Sequence, residues 1–171
     1  MEGQGKCFVC GKRSCVFYPY LKQHLCKKHF QRLLLRRVKG LLSSNGIHSS
    51  IKPSGENPLG REFLSFVSIG GKRSQLVGSN TLEDFAVAVG GYFLLDRKPD
   101  IKVSDGKRFN PLYTTSEDEI INFLGTKGTV KRPTKRKGDD ALVLSFLKGL
   151  EARRPGGMIS MVKTGVRLRI I

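Results

Sequence analysis

Two pairs of potential metal ligands lie near the start of the chain. Two residues separate Cys7 from Cys10. The second pair, Cys26 and His29, follows after fifteen residues and has the same spacing. Thiolate and imidazole groups in two such pairs suit the tetrahedral geometry that zinc prefers. Because four protein ligands leave no open position for a substrate, the spacing predicts a structural Zn²⁺. The ion would stabilise a segment too short to fold by itself.

Other residues could take part in this site. His24 and Cys15 lie between the pairs but do not share their spacing, and His48 stands alone in a loop-like segment. A second alternative is a set of buried thiols beside a surface histidine, without a metal. All four cysteines lie within the first 26 residues, whereas the disulfides of a secreted protein would be spread further. The clustering favours a metal site in a reducing compartment, and we predict a cytoplasmic location.

The charge of the chain predicts a polyanionic partner. Among 171 residues there are 31 Lys and Arg against 14 Asp and Glu, which gives a formal net charge of +17. Proteins this basic bind nucleic acids, because neutralising phosphates releases their counterions. A membrane surface is the other polyanion to consider, but no long apolar run, signal-like start or lipidation motif is visible. We therefore predict RNA and no membrane as the partner.

Two segments concentrate the basic residues. The first, KKHFQRLLLRRVKGLL, has apolar residues at helical spacing and basic residues four apart on another face. The second is a basic arm at residues 130–138. These residues either remain solvated or bind phosphates, and the net charge favours phosphate binding. We predict RNA contacts at Lys28, Arg32, Arg36, Arg37, Lys39, Lys131, Arg132, Lys135, Arg136 and Lys137.

The pattern of elements predicts an α/β fold in three parts. Residues 1–42 would form a zinc ribbon and its basic helix, and residues 43–60, rich in Ser, Gly, Asn and Pro, a linker. Residues 61–171 would form a small α/β domain. In that domain REFLSFVS predicts a strand that ends at a glycine pair, and helices are predicted after Thr81, Ser116 and Asp139.

These segments resemble, in the same order, the PP-loop ATPases that synthesise 2-thiouridine and 2-thiocytidine in tRNA. FVSIGGKRS falls where that family has a strand followed by SGGKDS, the loop that holds ATP pyrophosphate. LVGSNTLEDFAVAV is similar to its TGHNxxDEA segment, and FNPLYTTSEDEI and FLKGLEARRPGG are similar to two later segments. The resemblance runs from Cys7 to about Gly157. It implies an N-terminal zinc module followed by a truncated PP-loop domain.

The chain departs from this family where the family does its chemistry. Ile69 replaces the loop serine, and Arg73 replaces the aspartate that helps to hold Mg²⁺. The adenine-recognising segment is missing, and Arg132-Pro133 lies near the position of a Cys-Pro pair. We therefore predict a degenerate relative that is not an enzyme and has no ATP, iron–sulfur cluster or small-molecule substrate. Lys72 and Arg73 would then hold an RNA phosphate.

The combined prediction is a non-catalytic, zinc-containing RNA-binding protein. Its RNA would be rRNA in a ribosomal subunit, with ribosomal proteins as neighbours, and tRNA is the competing RNA. The alternative is a tRNA 2-thiolation enzyme, or a subunit of one, whose partner chain supplies the adenine pocket and the sulfur-carrying cysteine. A third hypothesis is a zinc-ribbon adaptor that binds another protein.

Overall fold

The computed structural model describes residues 5–14, 16–18, 22–67, 74–128, 132 and 134–171. The N-terminal part contains an antiparallel hairpin, β1 (Val16–Tyr18) and β2 (Gln23–Leu25), followed by the helix α1 (Lys27–Ser44). The rest of the chain forms β3 (Ser50–Ser54), α2 (Pro58–Ser65), β4 (Ser74–Gly78), α3 (Leu82–Leu95), α4 (Glu117–Gly125), α5 (Gly138–Arg153) and α6 (Gly157–Arg167). The predicted α/β class is confirmed.

A parallel strand pair joined by a helix forms the β part of the domain. β3 pairs with β4 from Ser50 opposite Ser74 to Ser54 opposite Gly78, and α2 lies between them in the chain. α2 packs against β3 and α4. The carboxyl ends of both strands therefore lie at one edge, beside the start of α2 and of α3.

The segment predicted as a strand before the glycine pair is helical instead. The side chain of Asn57 accepts a hydrogen bond from the Gly60 N–H at 3.1 Å, and Pro58 follows it in the first turn of α2. These are strong signals for a helix start, and they outweigh the alternation of apolar residues and serine in REFLSFVS. Phe63 and Leu64 are fully buried. Within the predicted linker, residues 50–54 form β3.

The helix α3 is the centre of the domain. It packs against both α5 and α6, and its residues from Leu82 to Gly91 are almost all buried. A Cβ at Gly90 would lie 2.7 Å from Val143 Cγ1, so only glycine lets α5 approach this closely. α6 lies where no element was predicted. No helix in the described part of the chain is both long and apolar enough to cross a membrane.

The N-terminal part is joined to the domain through α1. Its buried stripe, Phe30, Leu34, Val38 and Leu42, belongs to the same core as the domain helices, and α1 packs against α4. Next to this contact Arg37 forms an ion pair with Glu119 at 2.7 Å. The metal-ligand segment is thus held against the body of the protein.

Candidate metal centre and nucleic-acid interface

The structure brings together the two predicted ligand pairs. The donor atoms of Cys7, Cys10, Cys26 and His29 all lie within 4.8 Å of one another. The Sγ atoms of Cys10 and Cys26 are 3.8 Å apart, and His29 Nδ1 is 3.4 Å from the Sγ atoms of both Cys7 and Cys26. A tetrahedral ion with metal–sulfur bonds of about 2.3 Å separates two sulfur ligands by about 3.8 Å. The four donors are therefore spaced to share one ion.

Backbone hydrogen bonds fix the first ligand pair in a tight turn. Gly11 N–H donates to Cys7 C=O at 2.8 Å, and Gly11 has a φ of +67°, which glycine adopts without strain. Burial raises the pKa of the Cys7 thiol, but hydrogen bonds from the backbone of Cys26, Cys10 and Val9, and from the His29 side chain, outweigh it and bring the pKa to about 6. The turn thus favours the thiolate that a metal requires.

The second ligand pair lies at the start of α1. Cys26 is the N-cap residue, and His29 lies in the first turn. His24 points elsewhere, because its ring packs against Phe17 with centroids 5.0 Å apart. His48 is exposed and lies near Ser43. Cys15 falls outside the described residues.

Most of the predicted basic face of α1 is exposed. Lys28, Arg32, Arg36 and Lys39 all point to solvent, and together they form what we call the α1 ridge. Arg37 does not belong to it: its guanidinium donates to Tyr18 Oη at 2.6 Å and to Glu119 Oε2 at 2.7 Å. Because this charge compensates a buried carboxylate, we expect Arg37 to contribute less to an RNA contact than its exposed neighbours.

A groove continues the ridge toward α6. It has a volume of about 760 Å³ and is lined by Arg36, Lys163, Tyr113 and the turn at Pro155-Gly156. The groove thus offers basic side chains on both walls. Sequence reasoning missed Lys163 because α6 itself was not predicted.

The basic arm divides into exposed and buried residues. Arg132, Lys135 and Lys137 are exposed. In contrast, Arg136 donates to Asp84 Oδ1 at 2.6 Å and to Glu117 Oε1 at 2.9 Å, and its side chain is only 9% exposed. Arg136 is a buried counterion, so we expect it, contrary to the sequence-based prediction, to make no RNA contact. The predicted contacts Lys72, Arg73 and Lys131 lie outside the described residues, as does the glycine pair before Lys72.

Arg136 closes one side of a polar cavity that sequence reasoning did not find. The cavity, of about 460 Å³, lies at the carboxyl ends of β3 and β4 and includes Asn57, Asn80, Asp84 and Thr134. Asn57 Nδ2 donates to Asp84 Oδ2 at 2.7 Å, and the Thr81 N–H donates to the same oxygen at 2.8 Å. The polar residues that follow each strand in the sequence could have indicated this cavity. The sequence did not place them together, because the first strand is predicted in REFLSFVS rather than at β3.

The neighbouring carboxyl group of Glu83 faces away from this cavity. Glu83 is 1% exposed, and its Oε2 accepts a hydrogen bond from the Glu117 N–H at 2.9 Å. Burial, followed by the negative charge of Glu117, raises the pKa of Glu83 to about 8. The buried site therefore favours the neutral carboxylic acid over the carboxylate.

Comparison with known proteins is informative at the level of structure. The sequence matches no family model, and no curated protein matches it significantly. A solved structure, the U34-tRNA thiolase NcsA from Methanococcus maripaludis with its [4Fe-4S] cluster, is similar with a TM-score of 0.68. The similarity covers 98% of this chain and 89% of the thiolase chain, at 16% sequence identity. The chain has the fold of a tRNA thiolase.

This result supports the resemblance to the thiolation enzymes and corrects two predictions made from it. The prediction that the chain is not an enzyme is wrong as it was inferred, because a solved protein with a similar fold is an enzyme. The exclusion of an iron–sulfur cluster is also wrong, because that protein carries one and the Cys₃His group here has donors that fit zinc or an iron–sulfur cluster. The truncation and degeneration inferred from the sequence stay predictions.

Proposed function

We propose that this chain is a cytoplasmic RNA-binding protein whose RNA is a tRNA. The observation that carries the proposal is the α1 ridge, which begins beside the metal centre and continues into the groove lined by Lys163. The similarity to a tRNA thiolase supports tRNA as the RNA. Ribosomal RNA, which the sequence favoured, has no such support.

The ridge and groove suit the RNA backbone. Lys28, Arg32 and Arg36 are spaced by one helical turn each, so they can contact successive phosphates along about 12 Å of helix. Phosphate contacts of this kind supply most of the affinity and make it strongly dependent on salt. The predicted cations Lys135 and Lys137 extend the same chemistry from the arm.

Two aromatic side chains beside the metal centre can contact bases. Phe8 is 71% exposed and Phe17 is 51% exposed, whereas Tyr18 is buried in the core. Exposed aromatic rings stack on unpaired RNA bases, which are found in loops rather than in base-paired regions. We therefore propose that the metal turn meets a loop of the tRNA while the ridge follows its backbone. Tyr20, the other aromatic residue considered from the sequence, lies outside the described residues.

The metal centre would hold this turn in place. Cys7, Cys10, Cys26 and His29 would bind the metal, which supplies rigidity to a segment with a small core. Elemental analysis for zinc and iron, together with the visible absorption of the purified protein, identifies the metal. A visible band with iron indicates a cluster, and a colourless protein with zinc indicates a single ion.

The RNA proposal is tested by measuring tRNA affinity as a function of salt. Charge reversal of Arg32 and Arg36 together should weaken tRNA binding by at least about tenfold, and it should lower the salt slope by roughly one for each phosphate that the variant no longer neutralises. Lys107→Glu is the matched control, because Lys107 is exposed in the loop between α3 and α4 and does not belong to the α1 ridge. If Lys107→Glu lowers the tRNA affinity as much, per charge reversed, as the Arg32 and Arg36 variant does, then affinity depends only on net charge. That result would refute the proposed interface.

Sedimentation of a cell lysate distinguishes the candidate RNAs. Migration of the protein with tRNA-sized material supports the proposal. Migration with a ribosomal subunit would replace tRNA with rRNA, and migration as free protein would contradict RNA binding altogether.

A second candidate function, tRNA thiolation by this chain or with a partner chain, is favoured by the polar cavity beyond β3 and β4. Ligands of open α/β folds bind at the carboxyl ends of parallel strands, where Asn57 and Asn80 lie. Calorimetry with ATP and Mg²⁺ tests it, with Asn80→Ala as the variant that should lose binding. If the unaltered protein gives no heat of ATP binding and incorporates no sulfur into tRNA, this chain does not catalyse thiolation by itself.

A further inference from the structure

A cavity lies between the N-terminal hairpin and the domain helices. It has a volume of about 530 Å³, which is within the usual range of small-molecule sites. Its apolar wall includes Val16 of β1, Phe30 of α1 and Met158 of α6, and its polar wall comes from α3, α4 and α5. We call it the hairpin cavity. It shares none of its described lining residues with the polar cavity at the carboxyl ends of β3 and β4.

The hairpin cavity collects acidic residues in a strongly basic chain. Among the described residues, its lining contains four carboxylic acids, Glu83, Asp118, Glu119 and Glu151, and one basic residue, Lys148. The whole chain has 31 Lys and Arg against 14 Asp and Glu, so the local balance is inverted. Lys148 is exposed, and its charge is therefore solvated. The lining thus favours a cationic ligand.

Glu119 has an unused hydrogen-bond acceptor at the wall of the cavity. Its side chain is only 8% exposed. Its Oε2 accepts hydrogen bonds from Arg37 at 2.7 Å and from the Ser116 N–H at 2.9 Å. Its Oε1 is buried and has no hydrogen-bond partner among the described residues. Because a buried oxygen without a donor costs free energy, a ligand that brings N–H groups to this wall would be stabilised there.

The placement of the acids suits an organic cation better than a metal ion. In the described part of the chain, only the Cys₃His group brings three or more metal donors close to one another. The acids of the hairpin cavity are instead divided among α3, α4 and α5. Mg²⁺ and Ca²⁺ need several oxygen ligands around one point. An aliphatic diamine carries its charges at the two ends of an apolar chain, which the apolar wall of the cavity can contact.

We propose that the hairpin cavity binds an aliphatic diamine, with one ammonium group beside Asp118 and Glu119 of α4 and the other beside Glu151 of α5. The Glu151 carboxylate accepts the N–H groups of Gly156 and Met158, at 2.7 and 2.8 Å, and these bonds hold it in position. The net charge of +17 repels diamines from the rest of the surface, so binding would be selective for this cavity. The site is independent of the RNA that the protein binds.

Equilibrium dialysis of the metal-loaded, RNA-free protein against radiolabelled diaminobutane tests the proposal. We expect saturable binding of one diamine per chain. Butylamine, which has one ammonium group, should bind at least about fivefold more weakly, and butanediol, which has none, should not compete. The absence of saturable binding at millimolar diaminobutane, or competition by butanediol at equal concentration, would overturn the proposal.

Two variants locate the bound diamine. Asp118→Asn should weaken binding about fivefold, because it removes an exposed charge at the cavity. Asp139→Asn is the matched control, because Asp139 is also an exposed acid in the first turn of a helix but does not line the cavity. Ala152→Phe adds a ring to the cavity wall without changing charge and should abolish binding. If the folded Asp118→Asn and Ala152→Phe variants bind as the unaltered protein does, or the control is weakened equally, the diamine does not bind in this cavity.

Glu83 provides a second measurement, because its proton is linked to the charge in the cavity. Its buried site favours the neutral acid, and the charged groups that act on it are Glu117 of α4 and Lys148 of α5. A bound ammonium group favours the carboxylate, so binding should release a proton. The affinity should therefore rise by up to about tenfold per pH unit between about pH 6 and 8, where the diamine itself stays charged. Glu83→Gln should flatten this profile. A flat profile in the unaltered protein, or an equal rise in Glu83→Gln, would refute an ammonium group in this cavity.

Discussion

Arg136 provides the most direct test of how the structure distributes its positive charge. The guanidinium contacts Asp84 and Glu117, whose side chains are 20% and 0% exposed. Arg136→Ala would leave both carboxylates without this counterion. Removal of one partner of a buried ion pair costs about 3–5 kcal/mol. For a chain of this size, each kcal/mol lowers Tm by about 2–4 °C, so we expect a decrease of about 6–20 °C.

The exposed neighbour Lys135 is the matched control. Lys135→Ala removes the same charge from the same arm but breaks no buried pair, so its Tm should change by less than about 1–2 °C. Differential scanning calorimetry of the purified proteins measures both values. The RNA affinities should show the opposite order, because only Lys135 is available to phosphates. An unchanged Tm in Arg136→Ala would refute the buried ion pair.

A double-mutant cycle separates the ion pair from the loss of packing. Glu117→Gln in the Arg136→Ala background removes one of the two unpaired charges. The double variant should therefore be destabilised by less than the sum of the single variants. Additive effects would mean that Arg136 stabilises the protein only through its apolar stem.

Three further predictions concern the metal, a buried acid and a close contact. Cys26→Ser should lower the bound metal per chain in elemental analysis and the helix content at α1; full metal retention would show that other ligands suffice. Glu83, whose folded pKa of about 8 exceeds the unfolded value of 4.5, should reduce stability as pH rises between these values, by up to about 1.4 kcal/mol per pH unit. Glu83→Gln should flatten that part of the profile of Tm against pH, and an unchanged slope would contradict it. Gly60→Ala places a Cβ against the Ser79 carbonyl and should strongly destabilise the protein. Gly40→Ala, on the open face of α1, should instead stabilise it by about 0.5–1 kcal/mol. Equal Tm values for the two variants would refute the close contact at Gly60.

Local patterns predicted the elements that depend on local interactions. The apolar spacing of KKHFQRLLLRRVKGLL predicted α1 and its buried face, and the capping box of Ser116 and Glu119 predicted the start of α4, where both of its hydrogen bonds are present. The helix after Thr81 was predicted from the acidic first turn, and α3 begins there. Each of these signals acts over three or four residues, so neighbouring residues in the sequence are sufficient to read it.

The alternation in REFLSFVS was misleading because the same residues also form a helical stripe. Asn57 and Pro58 decided between the two structures, and they lie before the segment that was assigned as a strand. β3 was missed because it is short and polar, and only its pairing with β4 makes it a strand. Nothing local distinguishes it from a loop.

The sequence by itself determined the metal ligands as a spaced set, the net charge and the helical stripes, because these depend on residue types and on distances along the chain. The tertiary structure decided which cations are available to a partner. In the sequence, Arg37 and Arg136 look like the exposed basic residues around them. In the structure, carboxylates from distant segments lie within hydrogen-bonding distance of both. A buried carboxylate requires a counterion, and which arginine supplies it depends on how the helices pack.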